Sequence, residues 1–352
     1  MKKTSIKDVA KAAGVSTATV SNVFSGRKPV NDDLAAKVRR AANELGYTVN
    51  KAASLLRSGR NSVVCILVPD LADPFFTSLI TDIEHLARDD GYEIIVGNSD
   101  DNSDVEDGRL NAMLAWDPAG AIIIPCTDEL PERLTKGTVP PCVLVDRVAS
   151  FDVVDTVTIN NVGAGQQAGK CLGGLGHRNV LIAASDMSIE PIRQRAAGVQ
   201  QSLEVFGGSI RIAELGADPE RGAELLSNWF EANDPPTAIC ATNDMTTLAI
   251  LRFLADQKID IPSGMSVVGF DDYAWMSARR TKVTAIRQPV DQIADAVWTQ
   301  LLSRINGQSG AVKNTVLESE LVVRDSVQKL KEQGNYWGDP DVRYMFGGHS
   351  RG

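Results

Sequence analysis

Three short amphipathic stretches open the chain. Ile6, Val9, Ala10 and Ala13 recur at helical spacing and predict a helix over Ile6–Ala13, with Ser5 as its cap and Asp8 three residues on. Val20 and Phe24 predict the inward face of a second helix, Thr17–Phe24, capped by Ser16 and ended by Gly26. Leu34, Val38, Ala41 and Leu45 form the apolar stripe of a third, Asp32–Leu45, capped by Asn31 and stopped by Gly46. Gly14 permits the tight turn between the first two. Two helices joined by a short turn and braced by a third make a helix-turn-helix unit.

The rest of the chain changes rhythm. Short apolar runs recur at 63–69, 92–98, 120–125, 142–146, 156–160, 179–185, 238–242 and 266–272, and helical stretches such as 75–90, 161–175, 190–206 and 243–257 separate them. Strands rich in Val and Ile that alternate with helices predict parallel sheets covered on both faces. About five strands precede residue 160 and several follow, so the fold class is α/β: two doubly wound parallel-sheet lobes behind an all-α head. Between head and body, Asn50–Ser58 has the pattern of a short helix broken by Gly59, too short to hold alone in water.

Composition narrows the classes. Of 352 residues, 43% are hydrophobic and 23% charged, enough apolar material for large cores. No run of about 18 apolar residues occurs, which excludes a membrane-spanning helix. The start lacks an apolar stretch of the secretory kind, so an exported protein is not expected. The five cysteines stand singly with no C-x-x-C pair, which suggests neither zinc nor a disulfide framework. They read as thiols in a reducing cytoplasm. The net charge of −9 conceals an asymmetry: residues 1–60 hold 12 Lys and Arg against 4 Asp and Glu, whereas the remainder holds 24 against 41. A basic head on an acidic body points to a polyanion met by the head.

The outer face of the second helix fits duplex DNA. Thr17, Ala18, Ser21 and Asn22 are small or amide-bearing, and no acidic residue lies between Ser16 and Val30. Asn can bond N6 and N7 of adenine together, and Thr or Ala can contact a thymine methyl. The string TSIKDVAKAAGVSTATVSNVFSG, with Gly46, Tyr47, Asn50, Ala53, Leu56 and Arg57 beyond it, resembles the DNA-binding head of the lactose-repressor (LacI/GalR) family. The resemblance extends to about residue 325. It implies base reading by Thr17, Ala18 and Asn22, contacts to phosphate or groove near Ser16, Thr19, Ser21 and Lys28, and a minor-groove wedge at Leu56 in a hinge helix. Val49 and Ser54 depart from the family's usual Pro and Arg in that hinge.

Ligands of doubly wound sheets bind beyond the carboxyl ends of the strands. There the sequence places Phe75 and Phe76, Asp146 and Arg147, Asn243 and Asp244, Asp271 and Asp272, with Arg195 early in a following helix and Gln288 after TAIR. Carboxylates accept hydroxyl hydrogens, a guanidinium donates in a fork, an amide does both, and an aromatic face suits a sugar's C–H surface. The resemblance implies ligand contacts by Arg195, Asn243 and Asp271, with Asp146, Phe75 and Phe76 across a cleft between lobes. This combination is closer to the family's sugar-binding members than to its purine-binding one. The implied domains are 1–48 for the head, 49–60 for the hinge and 61–327 for the body. Within the body, lobe 1 is about 61–160 with 290–319, and lobe 2 about 161–289 with 320–327. The implied partners are double-stranded operator DNA, a carbohydrate-like effector and a second copy in a homodimer or tetramer, with no cofactor and no membrane.

Two rival classes stay open at this point. A solute-binding protein would share the body, though it needs an export signal and has no use for the head. An NAD-dependent oxidoreductase would use the G-x-G-x-x-A pattern of Gly163, Gly165 and Ala168, yet small residues there also let helices pack closely, and the nearest acidic residue, Asp186, has no evident ribose role. Three histidines, at 85, 177 and 349, and no H-E-x-x-H, G-x-S-x-G or Walker pattern leave hydrolase and metal chemistry without a foothold. The stretch 328–352 lacks periodicity and reads as a tail, either disordered or docked on the body, with disorder the expectation.

Overall fold

The computed structural model describes residues 4–25, 28–47, 61–127, 134, 139–147 and 153–330. The chain divides into two compact units, Met1–Ser62 and Val63–Gly352.

The first unit holds α1 (Ile6–Ala13), α2 (Thr17–Ser25) and α3 (Asp32–Glu44). The Asp8 carboxylate closes the start of α1 by accepting from Ser5 N at 2.9 Å and Ser5 Oγ at 2.6 Å. Asn31 caps α3 by accepting from the amides of Asp33 and Leu34. Gly14, at φ +69°, makes the left-handed turn that a side chain would resist. Val9, Ala10, Val20, Val38, Ala41 and Ala42 form the small core. Three predicted core positions fall outside it. Leu34 is only half-buried, and Leu45, just past the end of α3 at Glu44, is 39% exposed. Phe24 is 37% exposed, with its ring 6.0 Å from that of Tyr47.

The second unit is built on two six-stranded sheets. Its elements in order are β1 (Val63–Val68), α4 (Pro74–Asp89), β2 (Glu93–Asn98), α5 (Ser103–Leu114), β3 (Gly120–Ile123), β4 (Cys142–Val145), β5 (Asp155–Ile159), α6 (Asn161–Gly174), β6 (Asn179–Ala184) and α7 (Glu190–Val205). There follow β7 (Ser209–Glu214), α8 (Pro219–Ala232), β8 (Ala238–Ala241), α9 (Asp244–Asp256), β9 (Ser266–Phe270), α10 (Ala274–Ser277), β10 (Thr284–Arg287), α11 (Val290–Ile305), β11 (Asn314–Leu317) and β12 (Glu320–Val322).

One sheet has the order β11-β5-β4-β3-β1-β2 and the other β12-β10-β9-β8-β6-β7. All pairings are parallel except β10 with β12. Central strands are buried on both faces, as in GAII and SVVGF. The chain passes from the first sheet to the second after β5, returns after β10, and passes over again between β11 and β12. The α/β reading of the body therefore holds. The apolar-run criterion missed β7, β11 and β12, which are edge strands with exposed positions, and β10, a buried run of only four residues.

Glycine has a packing role where the sequence hinted at a dinucleotide loop. A Cβ on Gly165 would lie 2.0 Å from Arg195 O, and one on Gly198 2.1 Å from Val162 O. The helices α6 and α7 thus meet backbone to backbone. Gly163 is equally constrained, since its amide is bonded to the capping Asn160 side chain at 2.8 Å.

The stretch read as a tail begins with bound residues. His177 Nε2 lies 3.1 Å from Gln328 O, and Leu330 N donates to Leu175 O at 2.8 Å. A carbonyl only accepts, so Nε2 carries the hydrogen. Residues 331–352, and with them the disorder expected there, lie outside the described residues.

Gly165→Ala should lose about 1–3 kcal/mol, because only backbone movement relieves the clash. Gly174→Ala, whose Cβ would meet nothing within 4 Å, should be neutral or stabilising by up to about 1 kcal/mol. Equal denaturant midpoints for the two variants would contradict the packing argument.

Candidate functional site

A cleft lies at the carboxyl ends of the strands, with walls from both sheets. Phe75, Phe76, Asp146 and Arg147 come from the first sheet's side, and Arg195, Asn243, Asp271 and Gln288 from the second's. Eight of the ten residues singled out from the sequence are brought together here.

Local structure aims each one. Pro74 opens α4 with no amide to satisfy, Asp73 caps it by accepting from Phe75 N at 2.8 Å, and the two phenylalanines follow with rings 5.3 Å apart. Asp146 and Asp271 both end strands with left-handed backbones, at φ +62° and +77°. Short Asp side chains tolerate that conformation better than bulkier ones do, and it turns the chain at the sheet edge. Asn243 caps α9, its Oδ1 accepting from Thr246 N at 3.0 Å, which leaves its amide nitrogen to offer.

Arg195 is the centre of the arrangement. It is 6% exposed. Its Nε donates to Asn161 Oδ1 at 2.8 Å, its Nη1 to Thr242 O at 2.7 Å, and its guanidinium lies 3.9 Å from the centre of the Phe270 ring. Nη2 faces Asp146 at 4.0 Å. Burial lowers the Arg195 pKa while the carboxylates of Asp146, Asp271 and Asp73 oppose that loss. Guanidinium pKa values start high enough that it stays charged. Arg147 is bound by Asp101, with Nη2 to Oδ2 at 3.3 Å, and lies 5.8 Å from the Phe76 ring centre.

The carboxylates crowd one another. Burial, then the charge of Asp271, pushes Asp73 up to about 7. Burial pushes Asp271 up to about 6 despite Arg195 and the hydrogen bond from Gln288. Gln288 Nε2 donates to Asp271 Oδ1 at 2.6 Å, and the Asp244 amide donates to Oδ2 at 3.1 Å.

Two other acids at these strand ends do not join the cleft. Asp272 turns to the back, where Arg287 Nε at 2.8 Å and Arg324 Nη2 at 3.0 Å bind it. Asp244 is buried at 1% exposure with both carboxylate oxygens unpartnered. Burial, then Asp271 and Asp73, raises its pKa to about 8. Sequence reasoning missed Asp73, Ser185 and Ile189, which also line the space. The Asp-Pro helix start was the available signal for Asp73, whereas Ser185 and Ile189 carried none beyond following a strand.

In the first unit, Thr17 and Ala18 are exposed and Ser21 and Asn22 half-buried, while Val20 of the same helix is buried. Ser16 caps this helix, its Oγ accepting from Thr19 N at 3.0 Å and lying 2.9 Å from Thr19 Oγ1. Lys28 is exposed between α2 and α3. Leu56 and the hinge stretch lie outside the described residues.

Fold and site together define a ligand-sensing α/β body joined to a helix-turn-helix unit. Residues 61–316 match the periplasmic binding proteins and sugar binding domain of the LacI family, and residues 5–50 match the bacterial regulatory proteins of the lacI family. The chain belongs to the LacI family of DNA-binding transcriptional regulators, and its body is that family's effector domain. Catabolite control protein A of Priestia megaterium is 32% identical over 306 residues, covering 85% of this chain and 91% of that protein. A transcriptional regulator CelR–cellobiose complex is 25% identical, with a TM-score of 0.68 over 92% of this chain and all of that one. The lac repressor dimer bound to operator and the anti-inducer ONPF shares the fold, with a TM-score of 0.81 at 23% identity over 93% of this chain and all of that one. The relatives are regulators and not enzymes.

Asp244 should shape the pH response of stability. Its folded-state pKa, about 8, lies above the ordinary carboxylate value, so the native state keeps a proton that the unfolded chain releases. This contribution is full below about pH 4 and is lost as pH rises through about 8. Asp244→Asn should therefore flatten the decline and be more stable at pH 8 by about 1–3 kcal/mol. Thermal unfolding at pH 5 and pH 8 checks this, and parallel slopes for both proteins would count against it.

Proposed function

We propose that the protein is a homodimeric repressor whose operator affinity is set by a carbohydrate-like effector held in the cleft. The observation that carries this reading is the cleft itself: an aromatic pair beside carboxylate, amide and guanidinium groups supplied by several independent strand ends. Hydroxyl-rich rings need such a mixture of acceptors, donors and an apolar face. The cellobiose complex of a 25% identical regulator supports the same class of ligand.

The domains in this reading are 1–48 for DNA binding, 49–60 for the hinge, 61–327 for sensing and pairing, and the tail beyond. Thr17, Ala18 and Asn22 read bases in the major groove. Ser16, Thr19, Ser21 and Lys28 meet phosphate or groove, and Leu56 wedges the minor groove. Two heads then read half-sites of a near-palindromic operator in the cytoplasm. Ligand in the cleft favours one arrangement of the lobes and biases DNA affinity by a coupling of about 1–3 kcal/mol. By linkage, operator DNA shifts ligand affinity by the same factor.

Selection of binding sites from random duplexes should return one motif for the native protein and a motif relaxed at one base for Asn22→Ala. Lys28→Ala should weaken binding across all sequences. If about 6–10 phosphates are neutralised, affinity falls about 10³–10⁵-fold between 50 and 200 mM salt. An unchanged motif in Asn22→Ala, or a flat salt response, would overturn the DNA-reading assignment.

A further inference from the structure

The hydrogen bonds already made inside the cleft limit what kind of molecule completes it. Its guanidiniums are largely committed to the protein. Arg195 spends Nε and Nη1 on Asn161 and Thr242, and its Nη2 faces Asp146. Arg147 spends both terminal nitrogens on Asp101.

The acceptors are in surplus. Asp73 uses one oxygen on its helix cap. Asp146 meets Arg195 only at 4.0 Å, beyond hydrogen-bond reach. Gln288 is 6% exposed, and its Oε1 is buried without a partner. That orientation of the amide follows from its neighbour, because Asp271 Oδ1 accepts and the nitrogen must face it.

Charge points the same way. Three carboxylates, Asp73, Asp146 and Asp271, line the inner cleft beside Arg147 and Arg195. The adjoining outer space adds Asp70, Asp101, Asp186 and Glu214, with Arg147 again the basic residue. Asp101 already neutralises Arg147. A ligand carboxylate or phosphate would bring acceptors to acceptors and negative charge to negative charge.

We propose that the cleft selects a polyhydroxylated ligand that carries no negative charge, and favours a protonated amine over the neutral sugar and the neutral sugar over the acid. Hydroxyl and ammonium hydrogens meet Asp73, Asp146 and the orphaned Gln288 oxygen. Burial and mutual repulsion already hold Asp73 and Asp271 above the usual carboxylate range, so a ligand cation relieves a stress that an anion deepens. This inference rests on the carbohydrate reading of the cleft.

The test uses the full chain and sets of compounds on one skeleton: glucosamine, glucose and gluconate, then the galactose and pentose series. Thermal shift finds the skeleton that binds, and calorimetry ranks its three charge forms. The expected result is an acid at least about tenfold weaker than the amine. Asp73→Asn keeps a residue able to cap α4, and should shrink the ratio of amine to acid affinity by about tenfold. An acid that binds as tightly as the amine, or a preference that Asp73→Asn does not move, overturns the charge selection and leaves the carbohydrate reading standing. If no polyhydroxylated compound of any charge shifts the transition, the carbohydrate reading fails, and the charge selection fails with it.

Discussion

A buried guanidinium is the constraint around which the sensing body is organised. Arg195 leaves water almost entirely, so its charge must be answered from fixed directions. Asn161 at the start of α6, Thr242 at the end of β8 and the Phe270 ring at the end of β9 supply the answer on one side. Asp146 supplies it from the other sheet. Removing any partner would leave a charge unmatched in a poor dielectric, so these elements are bound to one geometry. The backbone contact between α6 and α7 at Gly165 and Gly198 is what brings Arg195 close enough for the set to form.

The carboxylates show the opposite condition. Asp73, Asp244 and Asp271 are held close together with too few hydrogen-bond donors. Such stress persists only where the surrounding packing overrules it, and it is commonly kept at sites that bind something. Asp272 is the contrast within the same turn. Arg287 and Arg324 satisfy it fully, and it anchors the strand end while its neighbour faces the cleft.

Much of this was legible in the residues. Helix caps such as Asn31 and the Ser5–Asp8 pair, and the long Val/Ile runs, marked their elements closely because local chemistry decides them. Strand ends marked the cleft because parallel sheets leave that edge open. What stayed hidden depended on distant neighbours. Nothing in the string GF-DD tells which aspartate faces the cleft, since the choice rests on Arg287 and Arg324, farther along the chain. Leu45 fits a helical stripe, yet the helix ends one residue before it. The strands β7, β11 and β12 are sheet edges, where half-exposed residues blur the apolar signal. Gly163 and Gly165 fit two motifs alike until the backbone of α7 settles their role.

The third crossing between the sheets has a consequence for how the protein is made. Both sheets receive a final edge strand, β11 and β12, from residues 314–322, near the end of the body. During synthesis the N-terminal helices leave the ribosome first and are free to fold by themselves. Neither sheet of the sensing body receives its last strand until residues 314–322 have emerged. Each nascent molecule therefore passes through a period in which its N-terminal helices are finished and its sensing body is not, and translation speed between about residues 48 and 322 sets how long that period lasts.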